Sequence, residues 1–339
     1  MRYGIPYQGS KNRIARKLID FLPPADTFVD VFGGGAAMTH AALLSGKYKR
    51  VIYNELDTVA FQGVVMAFNG GFRDDNRWIP REEFHRLKDV DPYVRYCFSF
   101  GNDGKSYAYS VELEPYKRAV HYAVVFDRWE EYFRLCPDTA QAARDALEGV
   151  VGLRDRRIRF GHTVLNIVRD RKANPLYRAG DSDQLIPTLG SLENLQSVGD
   201  NPFYAGEVRQ GWGQALETLQ RLEALQSLPS APNVEFRRDD YRALVIPEGD
   251  TLVYCDPPYA GKKGYSVDFD NSAFRGWVRS LPFEKVFLSE YSMPTGFREV
   301  YATERQESKA AKTSRVVQER LFVPVPLRRR LLRRRRPKK

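Results

Sequence analysis

The stretch that decides the fold is Thr27-Phe28-Val29-Asp30-Val31-Phe32-Gly33-Gly34-Gly35. A short apolar run that meets a carboxylate and then three glycines predicts a buried strand followed by a tight loop. The chain continues into Ala36 to Leu43, which is predicted to form a helix. Because glycine allows positive φ and a close approach to the backbone, such a loop suits ligand binding in an α/β fold.

A second strand is predicted at Arg50-Val51-Ile52-Tyr53-Asn54, and it ends at Glu55. An acidic residue about 20 residues beyond a glycine loop, at the end of a strand, commonly binds the hydroxyl pair of a ribose. A glycine cluster by itself is often only a turn. Stronger evidence than the glycine cluster is that the glycine loop is followed by a second strand that ends in an acidic residue.

A third apolar run, Thr251 to Cys255, leads into Asp256-Pro257-Pro258-Tyr259. Prolines lack the N–H donor of a strand ladder, so they end strand pairing and leave backbone carbonyls free to accept. Asp256 and the Pro257 carbonyl could together accept both hydrogens of an exocyclic amine, while Tyr259 offers a face on which a planar base can stack. The alternative interpretation is a Pro-Pro turn that merely ends a strand.

With Pro6-Tyr7-Gln8-Gly9-Ser10-Lys11 near the start, these motifs resemble the Dam-type DNA adenine-N6 methyltransferases, in particular members found in phages and prophages. The resemblance spans both ends of the chain in the family's order, and roughly the middle half matches only loosely. Further blocks that carry it are Asn54-Glu55, Asp240-Tyr241, Leu288-Ser289-Glu290-Tyr291 and Glu319-Arg320-Leu321-Phe322-Val323.

The resemblance implies a role for each matching residue. The residues expected to bind S-adenosylmethionine are Tyr7, Lys11, Asp30, Phe32, Gly33, Gly35, Glu55, Asp240, Tyr241 and Asp256. Within this set, Tyr7 and Lys11 match contacts to the methionine end, and Glu55 stands where many relatives carry Asp for the ribose. Asp240 and Tyr241 match the pair that holds the cofactor adenine, with Asp239 as the neighbouring alternative. The expected catalytic residues are Asp256, Pro257, Pro258 and Tyr259.

The activity implied is site-specific transfer of a methyl group from S-adenosylmethionine to the N6 amine of adenine in double-stranded DNA. The target base would be flipped out of the duplex, and the methyl group would pass directly, with no covalent enzyme intermediate and no metal. A restriction-modification context fits such an enzyme. Two alternatives stay open: a methyltransferase that acts on RNA or a protein amide, for which Asn at position 256 would be typical, and a catalytically inactive, phage-type DNA-binding homologue.

Composition agrees with an enzyme of the cytoplasm. The three cysteines, Cys97, Cys136 and Cys255, are widely spaced, which argues against disulfides and against a zinc site. The four histidines show no metal-ligand spacing, so no metal is expected. There is no apolar stretch of membrane-spanning length, and we expect a monomer without a membrane partner.

The positive charge is concentrated at the end of the chain. Arg328 to Lys339 contains seven Arg, two Lys and no acidic residue, and without these nine cations the net charge of +10 falls to +1. Runs of this kind are usually solvated, disordered tails, and they attract phosphate without reading sequence. We therefore expect the tail to assist DNA affinity at most.

The motifs together predict an α/β fold, with a Rossmann-like doubly wound methyltransferase sheet and an inserted, mainly helical target-recognition domain. The expected divisions are residues 1–68 and 233–327 for the catalytic domain, 69–232 for the insert and 328–339 for the tail. The predicted strands are Phe28 to Val31, Val51 to Asn54, Val234 to Arg237, Thr251 to Cys255, Val286 to Ser289 and Arg320 to Val323.

Within the insert, Ser99 to Tyr107 is predicted to form a turn between extended segments, which is typical either of a loop that enters a DNA groove or of a plain hairpin. Helices are predicted at Tyr116 to Tyr132 and Asp138 to Val150. The basic clusters Arg154 to Arg159 and Arg169 to Lys172 are either phosphate contacts or solvated helix faces. Leucines recur every third residue from Leu216 to Leu228, and this pattern leaves a buried helix, stacked turns or a spacer as interpretations.

Overall fold

The computed structural model describes residues 3–173, 217–226, 228, 233–258, 269–309 and 313–325. These residues fall into two compact units. The first comprises Met1–Gly4, Ser10–Phe61 and Ala231–Lys339, and the second comprises Ile5–Gly9 and Gln62–Ser230, as far as each is described. The basic tail 328–339 lies outside the described residues.

The first unit is built on a seven-stranded sheet with the order β3-β2-β1-β4-β5-β7-β6. The strands are β1 (Ala25–Asp30), β2 (Tyr48–Asn54), β3 (Val234–Arg237), β4 (Thr251–Cys255), β5 (Lys285–Glu290), β6 (Phe297–Lys309) and β7 (Thr313–Pro324). The five strands from β3 to β5 are parallel, whereas β7 runs antiparallel to both β5 and β6. All six predicted strands are present, and β6 is an addition at the sheet edge.

The helices of the described residues vary from one and a half turns to about six turns in length. They are α1 (Ala15–Phe21), α2 (Ala37–Ser45), α3 (Thr58–Phe68), α4 (Arg81–Leu87), α5 (Pro92–Phe98), α6 (Glu114–Phe126), α7 (Glu130–Leu135), α8 (Pro137–Leu147), α9 (Leu153–Ala173), α10 (Glu217–Gln226) and α11 (Asn271–Ser280). No described helix is long and apolar enough to span a lipid bilayer.

Helices cover both faces of the sheet, because successive side chains of a buried strand point to opposite sides. Phe28 of β1 packs with residues of α1 and α2 in one cluster, whereas the next residue, Val29, packs with Phe274 and Val278 of α11 in another. This three-layer arrangement is the predicted Rossmann-like, doubly wound fold. On and beside α1, the apolar side chains of Ile14, Leu18, Ile19 and Leu22 are all buried.

In its described part the second unit is mainly helical, with a core shared by α6, α7, α8 and α9. One helix prediction is wrong here: Tyr116 to Tyr132 does not form a single helix. Asp127 adopts a left-handed conformation with φ 56°, which ends α6 before α7 begins. The role of this unit in target recognition, like the predicted domain boundaries, stays a prediction.

The leucine repeat forms the buried helix α10. Leu219, Leu222 and Leu225 are at most 3% exposed, and the polar side chains of Thr218 and Arg221 are buried beside them. Arg221 donates hydrogen bonds to the backbone carbonyls of Cys97 and Ser99. Because α10 is buried on more than one side, its leucines need not form a single stripe. Leu216 and the related segment 192–197 lie outside the described residues.

Candidate active site

The candidate site lies where the strand order of the first unit reverses. β1 is hydrogen-bonded to β2 on one side and to β4 on the other. The chain runs from β1 through β2 to β3 at one edge and then returns to β4 on the other side of β1. In open α/β sheets, ligands bind outside the carboxyl ends of the strands at such a switch point. Asp30 is the last residue of β1 and pairs with Tyr254 of β4, so Asp30 and Asp256 end neighbouring strands at the same sheet edge.

Asp256 is held by Lys11. The ammonium Nζ of Lys11 donates to Oδ1 of Asp256 at 2.8 Å and to Oδ2 at 2.6 Å. Lys11 is only 4% exposed, whereas Asp256 is 19% exposed. The carbonyl of Lys11 accepts from the N–H groups of Ile14 and Ala15, which fixes the residue at the start of the turn that leads into α1. The sequence predicts that Lys11 contacts the cofactor. The structure shows its ion pair with Asp256, and the contact with a cofactor stays a prediction.

Two residues from the last strands lie behind this pair. Glu319 of β7 is fully buried, and its Oε1 is 3.8 Å from Lys11 Nζ. The same oxygen accepts a hydrogen bond from Ser289 Oγ of β5 at 2.6 Å. Both residues occur in the blocks that resemble the family's last strands, but their sequence gives no sign of a contact with Lys11. Sequence reasoning therefore missed them as site residues.

Asp30 is almost completely buried beneath the glycine loop. Its Oδ2 accepts from the backbone N–H of Thr39 at 3.1 Å and from the Thr39 hydroxyl at 2.7 Å, which ties the end of β1 to α2. Burial raises the pKa of Asp30 to about 7, although the hydrogen bonds from Thr39 oppose the shift. The geometry thus gives Asp30 a structural contact within the loop region, and its predicted contact with a cofactor stays a prediction.

The glycine loop is shaped by Tyr53 and Glu55. A Cβ on Gly33 would lie 2.2 Å from the Tyr53 ring, so glycine is required there by packing, and the Tyr53 hydroxyl donates to the Gly34 carbonyl at 2.7 Å. Glu55 Oε2 accepts from the Gly34 N–H at 2.8 Å, and its Oε1 accepts from the Asp57 N–H. Burial raises the pKa of Glu55, and these backbone donors oppose the shift.

Aromatic rings line the site beside β1 and β3. Phe32 lies 5.7 Å from Tyr241, centroid to centroid, so two residues predicted for the cofactor are brought together. Phe269, Phe274 and Trp277 complete the cluster around them. These three were not predicted as site residues, although the sequence shows several aromatic residues near the start of α11.

Asp240 is less clearly directed toward a ligand. Its carboxylate accepts from both the backbone N–H and the guanidinium of Arg242, which lowers the pKa of Asp240. The neighbouring Asp239 is fixed through its backbone, because Asn54 bonds both its N–H and its carbonyl. Asn54 also donates to the Val31 carbonyl, so this one buried amide connects the ends of β1, β2 and the segment after β3.

The residues at this edge fit a ligand that carries a ribose and a planar base. Glu55 is half-buried, and its carboxylate accepts from the backbone N–H groups of Gly34, Asp57 and Leu56, although a carboxylate has about four acceptor sites. Acceptor capacity therefore remains for ribose hydroxyls. The rings of Phe32 and Tyr241 are of the kind that packs against a base. In the described part of the chain, no group of three His, Cys, Asp or Glu residues could hold a metal ion.

Three predicted site residues need separate mention. Pro257 is buried and Pro258 is half-buried directly after Asp256, as the sequence placed them. Tyr259 lies outside the described residues. Tyr7 belongs to the second unit, where its ring lies 6.0 Å from that of Tyr96, and its contact with a cofactor stays a prediction.

The predicted turn in the second unit is present at Ser99 to Tyr107. These two residues form an antiparallel bridge, and the side chain of Asp103 accepts from the N–H groups of Lys105 and Ser106 at the tip. Phe100 is 52% exposed. The extended segment expected before the turn is wrong, because α5 runs to Phe98. Asp91 caps this helix and Pro92 occupies its first position, where the missing N–H costs nothing.

The first basic cluster is partly structural. Arg156 donates to the carbonyls of Ala123 and Val124, and so satisfies the last turn of α6. Arg157 is only 14% exposed and forms an ion pair with Glu223 of α10. Arg154 and Arg159 are exposed, and Arg154 Nε lies 3.8 Å from Glu223 Oε1. Phosphate contact and a solvated helix face both stay open for these two residues. The side chains of the second cluster, 169–172, lie outside the described residues.

Comparison with known proteins agrees with the motifs. Residues 7–62 match the family of D12 class N6 adenine-specific DNA methyltransferases. No curated protein matches the chain. Proteins of this family require a methyl donor and act on DNA. The matched segment contains Lys11, Asp30, the glycine loop and Glu55, all of which lie in the region that the sheet geometry selects. The match is consistent with the Dam-type family that the motifs resemble, and it supports an adenine-specific DNA methyltransferase.

Proposed function

We propose that this chain is a site-specific methyltransferase that uses S-adenosylmethionine to methylate the N6 amine of adenine in double-stranded DNA. The observation that carries this proposal is Asp256. It follows β4 at the switch point of the sheet, is partly exposed, and has its carboxylate oriented by Lys11. Two prolines follow it, so the Pro257 carbonyl is not part of a continuing strand ladder.

Residues for the cofactor are those at the ends of β1, β2 and β3. Glu55 would accept the ribose hydroxyls, and Phe32 and Tyr241 would pack against the adenine ring. Gly33 and Gly35 would let the methionine portion approach the loop, with Tyr7, Lys11, Asp30 and Asp240 as the other predicted contacts. When bound, S-adenosylmethionine supplies a methyl group that is already activated on a sulfonium ion.

The chain's task is to orient a weak nucleophile. The N6 lone pair of adenine is delocalised into the ring, and the amine must become tetrahedral as it reacts. Lys11 orients the carboxylate of Asp256, which is 19% exposed. In the proposed arrangement Asp256 accepts one amine hydrogen while the Pro257 carbonyl accepts the other. This arrangement stabilises the positive charge that develops on the nitrogen.

Access to N6 within a duplex requires the base to be flipped out, with Tyr259 stacking on it. The second unit would read the target sequence, and its turn with exposed Phe100 and Lys105 is the candidate for groove contact. Arg154 and Arg159 would contact phosphates, and the tail from Arg328 would add affinity without selectivity. We infer a monomer acting on one site at a time.

The proposal is tested by incubating the purified protein with methyl-labelled S-adenosylmethionine and unmethylated DNA. Mass spectrometry of the digested DNA should then reveal N6-methyldeoxyadenosine. Asp256→Ala should abolish the product, whereas Asp26→Ala, an exposed carboxylate at the opposite end of β1, should not. Parallel reactions with RNA and with protein cover the alternatives. Label in RNA or protein instead of DNA, or no transfer despite folded protein, would refute the proposed function.

A further inference from the structure

The carboxylate of Glu319 is the feature that the proposed mechanism does not use. It lies on β7 with no exposed surface, two residues before the buried Leu321 and paired across to Thr303 of β6. A buried carboxylate is costly unless it is paired and hydrogen-bonded, and an apolar side chain would fill such a position more cheaply. A charge retained here needs a reason.

The contacts of Glu319 lead to the catalytic carboxylate. Its Oε1 accepts from Ser289 Oγ at 2.6 Å and lies 3.8 Å from Lys11 Nζ. On its other side, Lys11 donates to both oxygens of Asp256 at 2.6 and 2.8 Å. The ammonium group is thus flanked by two carboxylates, one at the site and one behind it. β5, β7 and the turn before α1 all contribute to this chain of contacts.

We propose that Glu319, oriented by Ser289, is a positioning residue that fixes the ammonium group of Lys11 against Asp256. The inference rests on the proposed function, since it assigns Glu319 a part in the same methyl transfer. The physical reason is a balance of charge. With Glu319 present, Lys11 is shared between two carboxylates, so Asp256 keeps enough negative charge to accept the amine hydrogens. Without Glu319, the positive charge of Lys11 acts on Asp256 as its one carboxylate partner of the two.

Glu319→Gln isolates the charge, because the amide can still accept from Ser289. We expect kcat to fall about tenfold while KM for S-adenosylmethionine changes less than twofold. The acid limb of the kcat profile should move to lower pH by about one unit, since a nearby negative charge has been removed. The titratable groups that interact with Asp256 include Lys11, Asp30, Tyr254 and Cys255, with Glu319 behind Lys11. Only Glu319 is altered in this variant.

Two further variants separate position from charge. Ser289→Ala removes the hydroxyl donor and keeps every charge, so kcat should fall about threefold with the acid limb unmoved. Glu299→Gln is the matched control, because Glu299 is an exposed carboxylate on the neighbouring β6 that pairs with Arg320. It should behave as wild type. If Glu319→Gln does not fold, an unchanged kcat in Ser289→Ala overturns the proposal.

A second measurement does not depend on activity. In urea unfolding, Glu319→Gln should lower the midpoint of the wild-type protein, because Lys11 loses a partner. In a Lys11→Met background the same change should raise the midpoint, because Glu319 is then a buried carboxylate without that cation. Equal effects in both backgrounds would overturn the link. A wild-type protein that methylates no DNA would refute the proposed function, whereas active wild type with an equally fast Glu319→Gln would refute only the role of Glu319.

Discussion

Replacing Asp30 with Asn should alter how the stability of the protein depends on pH. Asp30 is 1% exposed, and burial raises its pKa from the usual 3.8 to about 7. A carboxyl group whose pKa is higher in the folded state binds its proton more tightly there. Its contribution to the free energy of unfolding is therefore fully present below pH 3.8 and is lost as the pH rises toward 7. The wild-type protein should become less stable over this interval for that reason.

The size of the effect follows from the shift. One pKa unit corresponds to about 1.4 kcal/mol, and integrating between pH 5 and pH 8 gives a loss of about 2.5 kcal/mol from Asp30. In Asp30→Asn this loss is absent, while the amide oxygen can still accept from Thr39. His40 and His121, whose pKa values burial lowers to about 4, titrate in both proteins and cancel in the difference.

The assay is urea unfolding followed by circular dichroism at pH 5, 6, 7 and 8. Asp26→Asn, on the same strand but exposed and paired with Lys49, serves as the control and should track wild type. The free energy of unfolding of Asp30→Asn, relative to wild type, should increase steadily with pH. If the free energy of unfolding depended on pH in the same way in Asp30→Asn and in wild type, the raised pKa of Asp30 would be refuted.

Three further predictions concern function. Asp256→Ala should lower kcat by several orders of magnitude in a methyl-transfer assay and leave the circular dichroism spectrum unchanged; near-normal turnover would show that its carboxylate is not the amine acceptor. S-adenosylmethionine should raise the Tm of wild type, and Glu55→Ala and Lys11→Ala should each reduce this rise in thermal scans; an undiminished rise in both variants would remove them from the cofactor site. Deleting Arg328 to Lys339 should weaken DNA binding at low salt and flatten the plot of log affinity against log salt, with the methylated sequence unchanged. Substitutions between Phe100 and Tyr109 should instead change which sequence is methylated, and a tail deletion that changed the sequence would contradict this division.

The strands and the local motifs were predictable because their signals are local. Apolar runs such as Thr251 to Cys255 become fully buried central strands, and the acidic residues that end them meet at one sheet edge because the strands are parallel. β6 was not predicted. Among the described strands it pairs only with β7, at the edge of the sheet. Its sequence, Phe297 to Lys309, is accordingly mostly polar, with an apolar run of only three residues at Val300 to Ala302.

The contacts that organise the site were not predictable, because they join residues far apart in sequence. Lys11 and Asp256 are separated by 245 positions in the sequence. The motif that contains Lys11 predicts a contact with the cofactor and gives no indication of the contact with Asp256. Glu319 looked like one polar residue at the start of a strand. Only the pairing of β5 with β7 brings it to Ser289 and Lys11. In the second unit, the break at Asp127 escaped prediction because a left-handed residue other than glycine leaves little trace in the sequence.

The most direct test of the central claim is methylation-sensitive sequencing of the genome of a host that expresses this protein. The proposed function predicts N6-methyladenine at one defined sequence, present with the wild-type protein and absent with Asp256→Ala. That result would give the activity, the modified base and the target site together. A genome without adenine methylation beyond that of the Asp256→Ala strain, or one modified at cytosine, would contradict it.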